Sequence, residues 1–264
     1  MSIDAYFAPK KEIPRHVYLT VSVTVGLFVL AMWCLLAYSG WVREDFLPTP
    51  VAVILAGIDG MSDGSLFRDT GISLYEILSG FILASIFAVP LGILMGSFKI
   101  AEAALEPITN FVRYLPVSAL IPLLILWVGI GMSEKITVIF IGTFFQQLIL
   151  IADVSRGVAS DLLDVSYTLG ASRRQVVRRV LIPATMPGVM DALRVTLGWA
   201  WTYLVVAELV AANKGLGYFI LNSMRGLFTD RIFLGIAVIG LLGLISDQLF
   251  KVMRSRLLPW TIQS

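Results

Sequence analysis

Charged side chains are scarce in this chain, and so are the residues that most often carry covalent or metal chemistry. Charged residues make up 14% of the 264 positions and hydrophobic residues 58%, whereas soluble proteins carry about 25% charged residues. The one cysteine, Cys34, cannot form an internal disulfide, and the one histidine, His16, has no partner histidine for a metal site. The composition predicts a chain solvated largely by lipid, with no resident metal.

Several catalytic motifs are also absent. The sequence contains no Gly-x-x-x-x-Gly-Lys-Ser/Thr phosphate cradle, no His-Glu-x-x-His and no Gly-x-Ser-x-Gly. We therefore expect no enzymatic activity and no cofactor in this chain. The apolar runs are nearly free of acids and bases, which a proton- or sodium-driven carrier usually needs at mid-membrane. Uphill transport by this chain would then draw its energy from another protein.

What the sequence does have is long apolar runs. A run of about 20 residues is enough to cross a hydrocarbon core, and six runs meet that length or come close to it. We predict an all-α integral membrane protein whose six transmembrane helices are Val17–Tyr38, Gly71–Met95, Ile108–Ile130, Ile136–Ala152, Gly188–Ala211 and Ile232–Phe250. Pro116 and Pro122 interrupt the third span. Two short helices, Val51–Ile58 and Tyr218–Met224, are expected between spans.

The basic residues indicate an orientation. With a cytosolic N-terminus, most lysines and arginines fall in cytosolic segments, including Lys10, Lys11 and the cluster Arg173, Arg174, Arg178 and Arg179. We therefore expect both termini in the cytosol. Residues 1–70 would form an N-terminal tail, the first span and an external interfacial loop. Residues 71–264 would form a five-span unit with a cytosolic loop at 156–183.

Side-chain spacing predicts local pairs and breaks. Asp191 and Arg194 are three residues apart and are expected to pair on one helix face, as are Asp247 and Lys251 at four. Within the cytosolic loop, Gly170 separates two short helical patterns. Pro183 is expected to end the second of these before the fifth span.

The cytosolic loop also carries a motif. Asp164-Val-Ser-x-x-x-Gly170-x9-Val180-x-Ile182-Pro183 resembles the Glu-Ala-Ala…Gly…Ile-x-Leu-Pro loop of permease subunits of ATP-binding-cassette importers. Asp164 takes the place of the glutamate, and Val165 and Ser166 replace the alanines. The resemblance extends over the chain, as one extra span followed by the five-span core of type I importers.

Four further stretches look like the subgroup that imports nitrate, sulfonates, taurine and related solutes such as bicarbonate. They are Phe46-Leu-Pro-Thr-Pro50, Arg113-Tyr-Leu-Pro116, Leu126-Trp-Val-Gly-Ile-Gly131 and Ala207-Glu208…Gly215-Leu-Gly217.

The resemblance implies a set of partners. It implies two copies of a separate ATPase that binds ATP and Mg, a second permease copy in a homodimer, and an extracytoplasmic solute-binding protein at a bacterial inner (plasma) membrane. A coupling helix at Leu162–Leu169 would dock in a groove of the ATPase. The residues implied in coupling are Leu162, Leu163, Asp164, Val165, Ser166, Leu169, Gly170, Arg173, Arg174 and Pro183.

The solute pathway is expected between the third, fourth and fifth spans at the dimer interface. Polar side chains in or near those spans are the candidates for its lining: Arg113, Gln146, Gln147, Tyr203 and Glu208. Adjacent residues on a helix point about 100° apart, so Gln146 and Gln147 cannot both face one pore.

Three other functions stay open at this point. A secondary carrier would show related halves or charges within the spans. A helix-turn-helix DNA-binding unit fits the helix, glycine and basic helix of 164–179, although spans tether that segment at both ends. A membrane scaffold without transport activity is the third.

Overall fold

A computed structural model describes residues 13–261, and the regular elements of that part are helices. The predicted cytosolic residues Lys10 and Lys11 lie outside it. The helices are α1 Arg15–Tyr38, α2 Pro50–Ser62, α3 Ser65–Ser97, α4 Lys99–Val112, α5 Val117–Val128, α6 Met132–Arg156, α7 Ser160–Thr168, α8 Arg173–Val176, α9 Ile182–Ala211, α10 Leu216–Arg225 and α11 Thr229–Leu257. The expected all-helical membrane fold is confirmed.

The third predicted span is broken at one of its two prolines. α4 and α5 are bent by 95° at residues 113–116, so the expected interruption at Pro116 is confirmed, whereas the one expected at Pro122 is wrong because that proline lies inside α5. Pro116 accounts for the break, because a proline disfavours the helical conformation of the residue before it, here Leu115. Within residues 13–261, five single helices are long and apolar enough to cross a membrane, and the number is six if the bent pair is counted as one broken span.

Helices α3, α6 and α9 form the centre of the bundle. Ile77, Ile139 and Leu204, one from each helix, are almost completely buried against one another. α3 and α6 approach so closely that a Cβ on Gly96 would overlap the carbonyl oxygen of Ala152. Because lipid tails are as apolar as these side chains, close van der Waals contact holds the helices together.

The two N-terminal helices differ in how they attach. α1 is exposed along most of its length and contacts the bundle near its end, where Trp33 stacks on Phe233 at 5.9 Å and donates from Nε1 to the Pro48 carbonyl at 3.0 Å. α2 buries Val53 and Ala56 in a cluster with α3, α10 and α11. The predicted interfacial helix is therefore packed on protein along one face.

The helix that follows Gly170 is continuous from Arg173 onward, which corrects the predicted stop at Pro183. A π-helical turn at Val177–Leu181 joins α8 to α9, with the Ile182 N–H bonded to the Val177 carbonyl. The wider turn accommodates the proline, which has no N–H to donate and crowds the preceding turn. Pro187, which directly precedes the predicted start of the fifth span at Gly188, lies inside α9. Further along, a Cβ on Gly188 would overlap Cγ1 of Val154, so α9 crosses α6 closely there.

The polar pairs between α9 and α11 differ in part from expectation. Arg194 bonds to Asp247, and Asp191 bonds to Arg254 at 3.2 Å, so the predicted pair of Asp191 with Arg194 is wrong. Partners on the neighbouring helix replace the partner on the same helix. The predicted pair of Asp247 with Lys251 is confirmed at 2.8 Å.

Candidate functional site

The short helix α7, Ser160–Thr168, protrudes from the bundle, and all nine of its residues are at least partly exposed. Its apolar side chains face outward: Leu162, Val165 and, just beyond the end, Leu169 are 46%, 56% and 83% exposed. An exposed apolar stripe on a protruding helix is what a groove on another protein can bind.

Gly170 ends this helix in the way that its sequence predicts. Its φ is +82°, in the left-handed region. The Gly170 N–H bonds to the Tyr167 carbonyl at 2.9 Å, and the Ala171 N–H bonds to the Ser166 carbonyl at 3.1 Å. These are the two hydrogen bonds of a Schellman motif, and they fix the angle at which α7 leaves the bundle.

The inner side of α7 faces the bundle. Leu163 and Tyr167 line a cavity of about 250 Å³ together with Arg156 and Arg173. The Arg173 guanidinium lies 5.2 Å from the ring centroid of Phe98, at the junction of α3 and α4. Of the predicted coupling residues, Leu163 and Arg173 therefore contact the bundle, whereas Leu162, Asp164, Val165, Leu169 and Arg174 are exposed.

Arg156, the last residue of α6, joins two helices beside α7. Its guanidinium bonds to Asp153 at 2.7 Å and to Glu102 at 3.0 Å, and Glu102 also accepts from Lys99 at 2.7 Å. This cluster ties the start of α4 to the end of α6. The sequence analysis did not predict this ion-pair cluster, although the i, i+3 spacing of Asp153 and Arg156 indicates one of its pairs.

A cavity of about 370 Å³ lies between the α4–α5 bend, α6 and α9. Three of the predicted pathway residues, Arg113, Gln146 and Tyr203, are in its wall. Gly142 makes room for the Tyr203 ring, because a Cβ there would lie 2.5 Å from Cδ2 of the ring. The cavity is beside the middle of α6, at a depth suited to a solute pathway.

The other two predicted pathway residues lie elsewhere. Gln147 is fully buried, and its amide atoms have no hydrogen-bond partner within residues 13–261. Glu208 is also fully buried, outside the wall of the cavity. The structure thus brings together one of the two adjacent glutamines, Gln146, with Arg113 and Tyr203.

Glu208 instead belongs to a cluster around the start of α10. The Ser73 hydroxyl donates to Glu208 Oε1 at 2.6 Å, and the Gly217 N–H donates to Oε2 at 2.5 Å. Two more N–H groups at the helix start are bound: Gly215 donates to Asp69 at 3.2 Å, and Leu216 donates to Ser73 Oγ at 2.9 Å. Side chains of α3 and α9 thus satisfy the N–H groups that a helix start leaves unpaired.

A buried ion pair lies near this cluster. Lys135 Nζ is 3.0 Å from Glu76 Oε1, and both side chains are at most 4% exposed. Glu134 is also fully buried. The expectation of spans nearly free of buried charge is therefore wrong. Lys135, which falls between the third and fourth predicted spans, lies in the first turn of α6. Glu76 stands inside an apolar run, a signal that was present in the sequence.

Comparison with known proteins assigns the family. The family model described as "Binding-protein-dependent transport system inner membrane component" matches residues 88–259. The chain belongs to this family. The match contains both the 370 Å³ cavity and the cytosolic loop, and the resemblance read from the loop motif is confirmed.

Curated relatives of this inner membrane component are transport permeases. A putative aliphatic sulfonates transport permease protein, SsuC of Bacillus subtilis, is 34% identical over 232 residues, covering 88% of this chain and 84% of the relative. The taurine transport system permease protein TauC of Escherichia coli is 32% identical over 252 residues, covering 94% and 92%. The family is therefore one of transport components and not of enzymes.

Solved structures show the same fold. An inward-facing form of the MetNI methionine ABC transporter matches with a TM-score of 0.60 at 20% identity, covering 71% of this chain and 95% of that one. An amino acid ABC transporter matches with a TM-score of 0.60 at 12% identity, covering 71% and 92%. The architecture is that of a type I importer permease.

Proposed function

We propose that this chain is the permease subunit of an ATP-driven importer. A separate ATPase, which carries ATP and Mg, binds the exposed face of α7, and an extracytoplasmic binding protein delivers the solute. Two copies of the permease enclose the pathway. The observation that carries the proposal is the apolar stripe of Leu162, Val165 and Leu169, which protrudes from the bundle on a helix whose exit angle Gly170 fixes.

The cytosolic placement of this stripe rests on charge. Arg174, Arg178 and Arg179 follow it directly and are exposed. Basic residues are concentrated on the cytosolic side of inner membrane proteins, where anionic headgroups and partner acids can bind them. The termini are cytosolic in the same orientation. Residues 1–70 then add one span and an external segment to the five-span unit of 71–264.

The proposed solute is a small sulfonate or a similar anion. The relatives named above are permeases for aliphatic sulfonates and for taurine. The volume of about 370 Å³ between the α4–α5 bend, α6 and α9 is at the lower end of the range of roughly 300 to 1,000 Å³ for small-molecule sites. The solute passes through this cavity, with Arg113, Gln146 and Tyr203 at its wall.

Binding of the ATPase can be tested with a matched pair of variants. Leu169 and Leu227 are both 83% exposed, and both follow a short helix, but they belong to opposite ends of the bundle in the proposed orientation. Leu169→Asp should weaken retention of the ATPase on a tagged permease by about tenfold or more, as expected of an interface anchor. Leu227→Asp should retain it. Equal retention by the two variants contradicts docking through α7.

Transport itself is tested in vesicles that contain the permease, its ATPase and its binding protein. Uptake of a radiolabelled sulfonate should require ATP on the ATPase side of the membrane and loaded binding protein on the other. The buried Glu76, Glu134 and Lys135 are the features that favour a secondary carrier instead. Uptake driven by a pH gradient without ATP supports a secondary carrier and contradicts the ATP-driven importer.

A further inference from the structure

The electrostatic character of the 370 Å³ cavity is set by one side chain. Arg113 is the one charged residue in its wall among residues 13–261, and the remaining lining residues are neutral. The wall therefore carries a net positive charge. In a partly enclosed, low-dielectric site such a charge acts more strongly on a solute than it would in water.

The guanidinium of Arg113 is held in place without a carboxylate. Its Nη2 donates to the Tyr114 hydroxyl at 2.9 Å, and its carbon lies 4.6 Å from the Tyr114 ring centroid. Its Nε is buried and has no hydrogen-bond partner within the described residues. Among the described residues no carboxylate neutralises this guanidinium, so its charge is available to an oxyanion in the cavity.

The bend of the third span explains why this cation lies in the cavity. Arg113 is the residue at which α4 ends, and α5 leaves at 95° after Pro116. The break places the end of α4 beside the middle of α6 and the C-terminal half of α9, whose side chains line the same cavity. A cation at a helix C-terminus is also favoured by the helix dipole.

Uncharged hydrogen-bond donors line the cavity together with Arg113. Gln146 on α6 lies beside the phenol of Tyr203 on α9, and Thr202 is the neighbour of Tyr203 along α9. Amide and hydroxyl groups can bind the further oxygens of a sulfonate or a similar oxyanion. The absence of an acid from this wall, within residues 13–261, disfavours a cationic solute.

We propose that Arg113 is the anion-binding residue of the permease cavity and that its guanidinium, with the amide of Gln146 and the phenol of Tyr203, selects small monoanionic oxyanions such as sulfonates. This site deepens the proposed import function and rests on it. The permease then contributes to solute selection in addition to any selection by an external binding protein.

The charge of the cavity can be measured without transport. In a Cys34→Ser background, which removes the one cysteine, Ser118→Cys places a thiol in the cavity wall. The reagents are 2-sulfonatoethyl methanethiosulfonate and its trimethylammonium counterpart, applied to the purified permease–ATPase complex. Arg113→Gln should lower the anionic-to-cationic rate ratio by about tenfold or more, because loss of one unit charge changes the two rates in opposite directions.

Two variants control this measurement. Arg256→Gln removes the same charge at the exposed end of α11 and should leave the ratio unchanged. Arg113→Lys should keep the ratio, since it keeps the charge. An unchanged ratio in Arg113→Gln overturns the assignment, and so does an equal fall in Arg256→Gln.

Occupancy is tested by protection of the thiol introduced at position 118, in the variant that retains Arg113. Ethanesulfonate should slow its labelling by neutral N-ethylmaleimide, and uncharged dimethyl sulfone should not. Arg113→Lys should weaken this protection several-fold, because an ammonium lacks the planar fork that binds an oxyanion at two points. Equal protection by the two sulfur compounds overturns the proposal, without the need for the Arg113→Gln variant to fold.

Repeating the protection in nanodiscs of phosphatidylcholine and of phosphatidylglycerol separates a soluble anion from a lipid headgroup. Protection by phosphatidylglycerol alone assigns the site to lipid and overturns the proposal. The labelling uses no uptake, so its outcome is independent of the transport assay. If labelling behaves as expected and ATP-driven uptake is absent, the import function fails and the anion site stands.

Discussion

The carboxylate of Glu208 accepts the Ser73 hydroxyl at 2.6 Å and the Gly217 N–H at 2.5 Å, and so joins α9 to both α3 and α10. Three separate segments of the chain depend on this one fully buried acid. Its partners are the N–H of a helix start and a hydroxyl, both suited to a buried carboxyl group. The cluster holds α10 in place and leaves Glu208 outside the cavity wall.

Glycine at position 217 is required by this contact. A Cβ there would lie 2.7 Å from the Glu208 Cβ, which cannot move without moving α9. Gly217→Ala should lower the apparent melting temperature of the purified protein by several degrees, consistent with overpacking costs of about 1 to 3 kcal/mol. Gly198→Ala, on α9 with open space around its Cβ position, is the control and should leave the melting temperature equal or higher. A Gly217→Ala protein as stable as this control contradicts the packing described.

The buried pair of Lys135 and Glu76 predicts strong coupling between substitutions. Lys135→Met leaves the Glu76 carboxylate buried without its cation and should destabilise the protein by about 3 to 5 kcal/mol. Lys135→Met combined with Glu76→Gln removes both charges and should recover a large part of that loss. Apparent melting temperatures of the two single variants and the double variant measure the coupling. Additive losses would mean that the two charges do not act as a pair.

Substitutions at Gly170 are expected to reduce ATPase stimulation to different degrees, according to how readily each residue adopts the left-handed turn. Asparagine adopts the left-handed conformation more readily than other non-glycine residues, whereas a β-branched residue rarely does. Gly170→Asn should keep most of the ATPase stimulation by loaded binding protein, and Gly170→Val should lose most of it. Both proteins should reach the membrane in equal amounts. If Gly170→Val stimulates the ATPase normally, the exit angle of α7 is not needed for coupling.

Removing the Arg156 ion pairs is expected to loosen the start of α4 without lowering the stability of the whole protein. These ion pairs are partly exposed, and such pairs contribute about 1 kcal/mol or less. Arg156→Gln should therefore leave the melting temperature nearly unchanged and raise amide hydrogen exchange at the start of α4, where Lys99 and Glu102 lie. Exchange in α11, which the cluster does not contact, is the internal reference. Unchanged exchange in α4 would show that other contacts hold this end.

Most of the helices could be predicted because an apolar run of membrane length rarely serves any purpose except crossing a bilayer. Each observed span extends beyond its prediction at one or both ends: α6 begins at Met132 and not Ile136. The missing turn contains Glu134 and Lys135, whose charges mark the edge of a span in a sequence reading. Lys135 is buried here with Glu76 on the neighbouring helix as its partner, whereas the buried Glu134 carboxylate has no hydrogen-bond partner within residues 13–261. Such partners depend on helix packing, which hydropathy does not contain.

The candidate site, like the spans, could be predicted only where the signal is local in sequence and not where it depends on helix packing. Gly170 carries a local signal, and its left-handed φ follows from the residue type and the motif. Which of Gln146 and Gln147 lines the cavity, and the position of Glu208 outside its wall, depend on how α6 and α9 are rotated about their axes. That rotation is set by contacts between helices, such as that of Gly142 with Tyr203.

If the continuous helix from Arg173 to Val210 moves as one rigid beam, its close contact with α6 at Gly188, against Val154, can serve as the pivot. Gly188 is midway in sequence between Arg173 and Tyr203. Each arm is about 22 Å long at 1.5 Å per residue. A beam that pivots at this crossing moves its two ends by equal amounts in opposite directions. A small inward pull at the cytosolic loop would therefore swing Tyr203 outward by a similar distance, widening or narrowing the cavity with no hinge along the way.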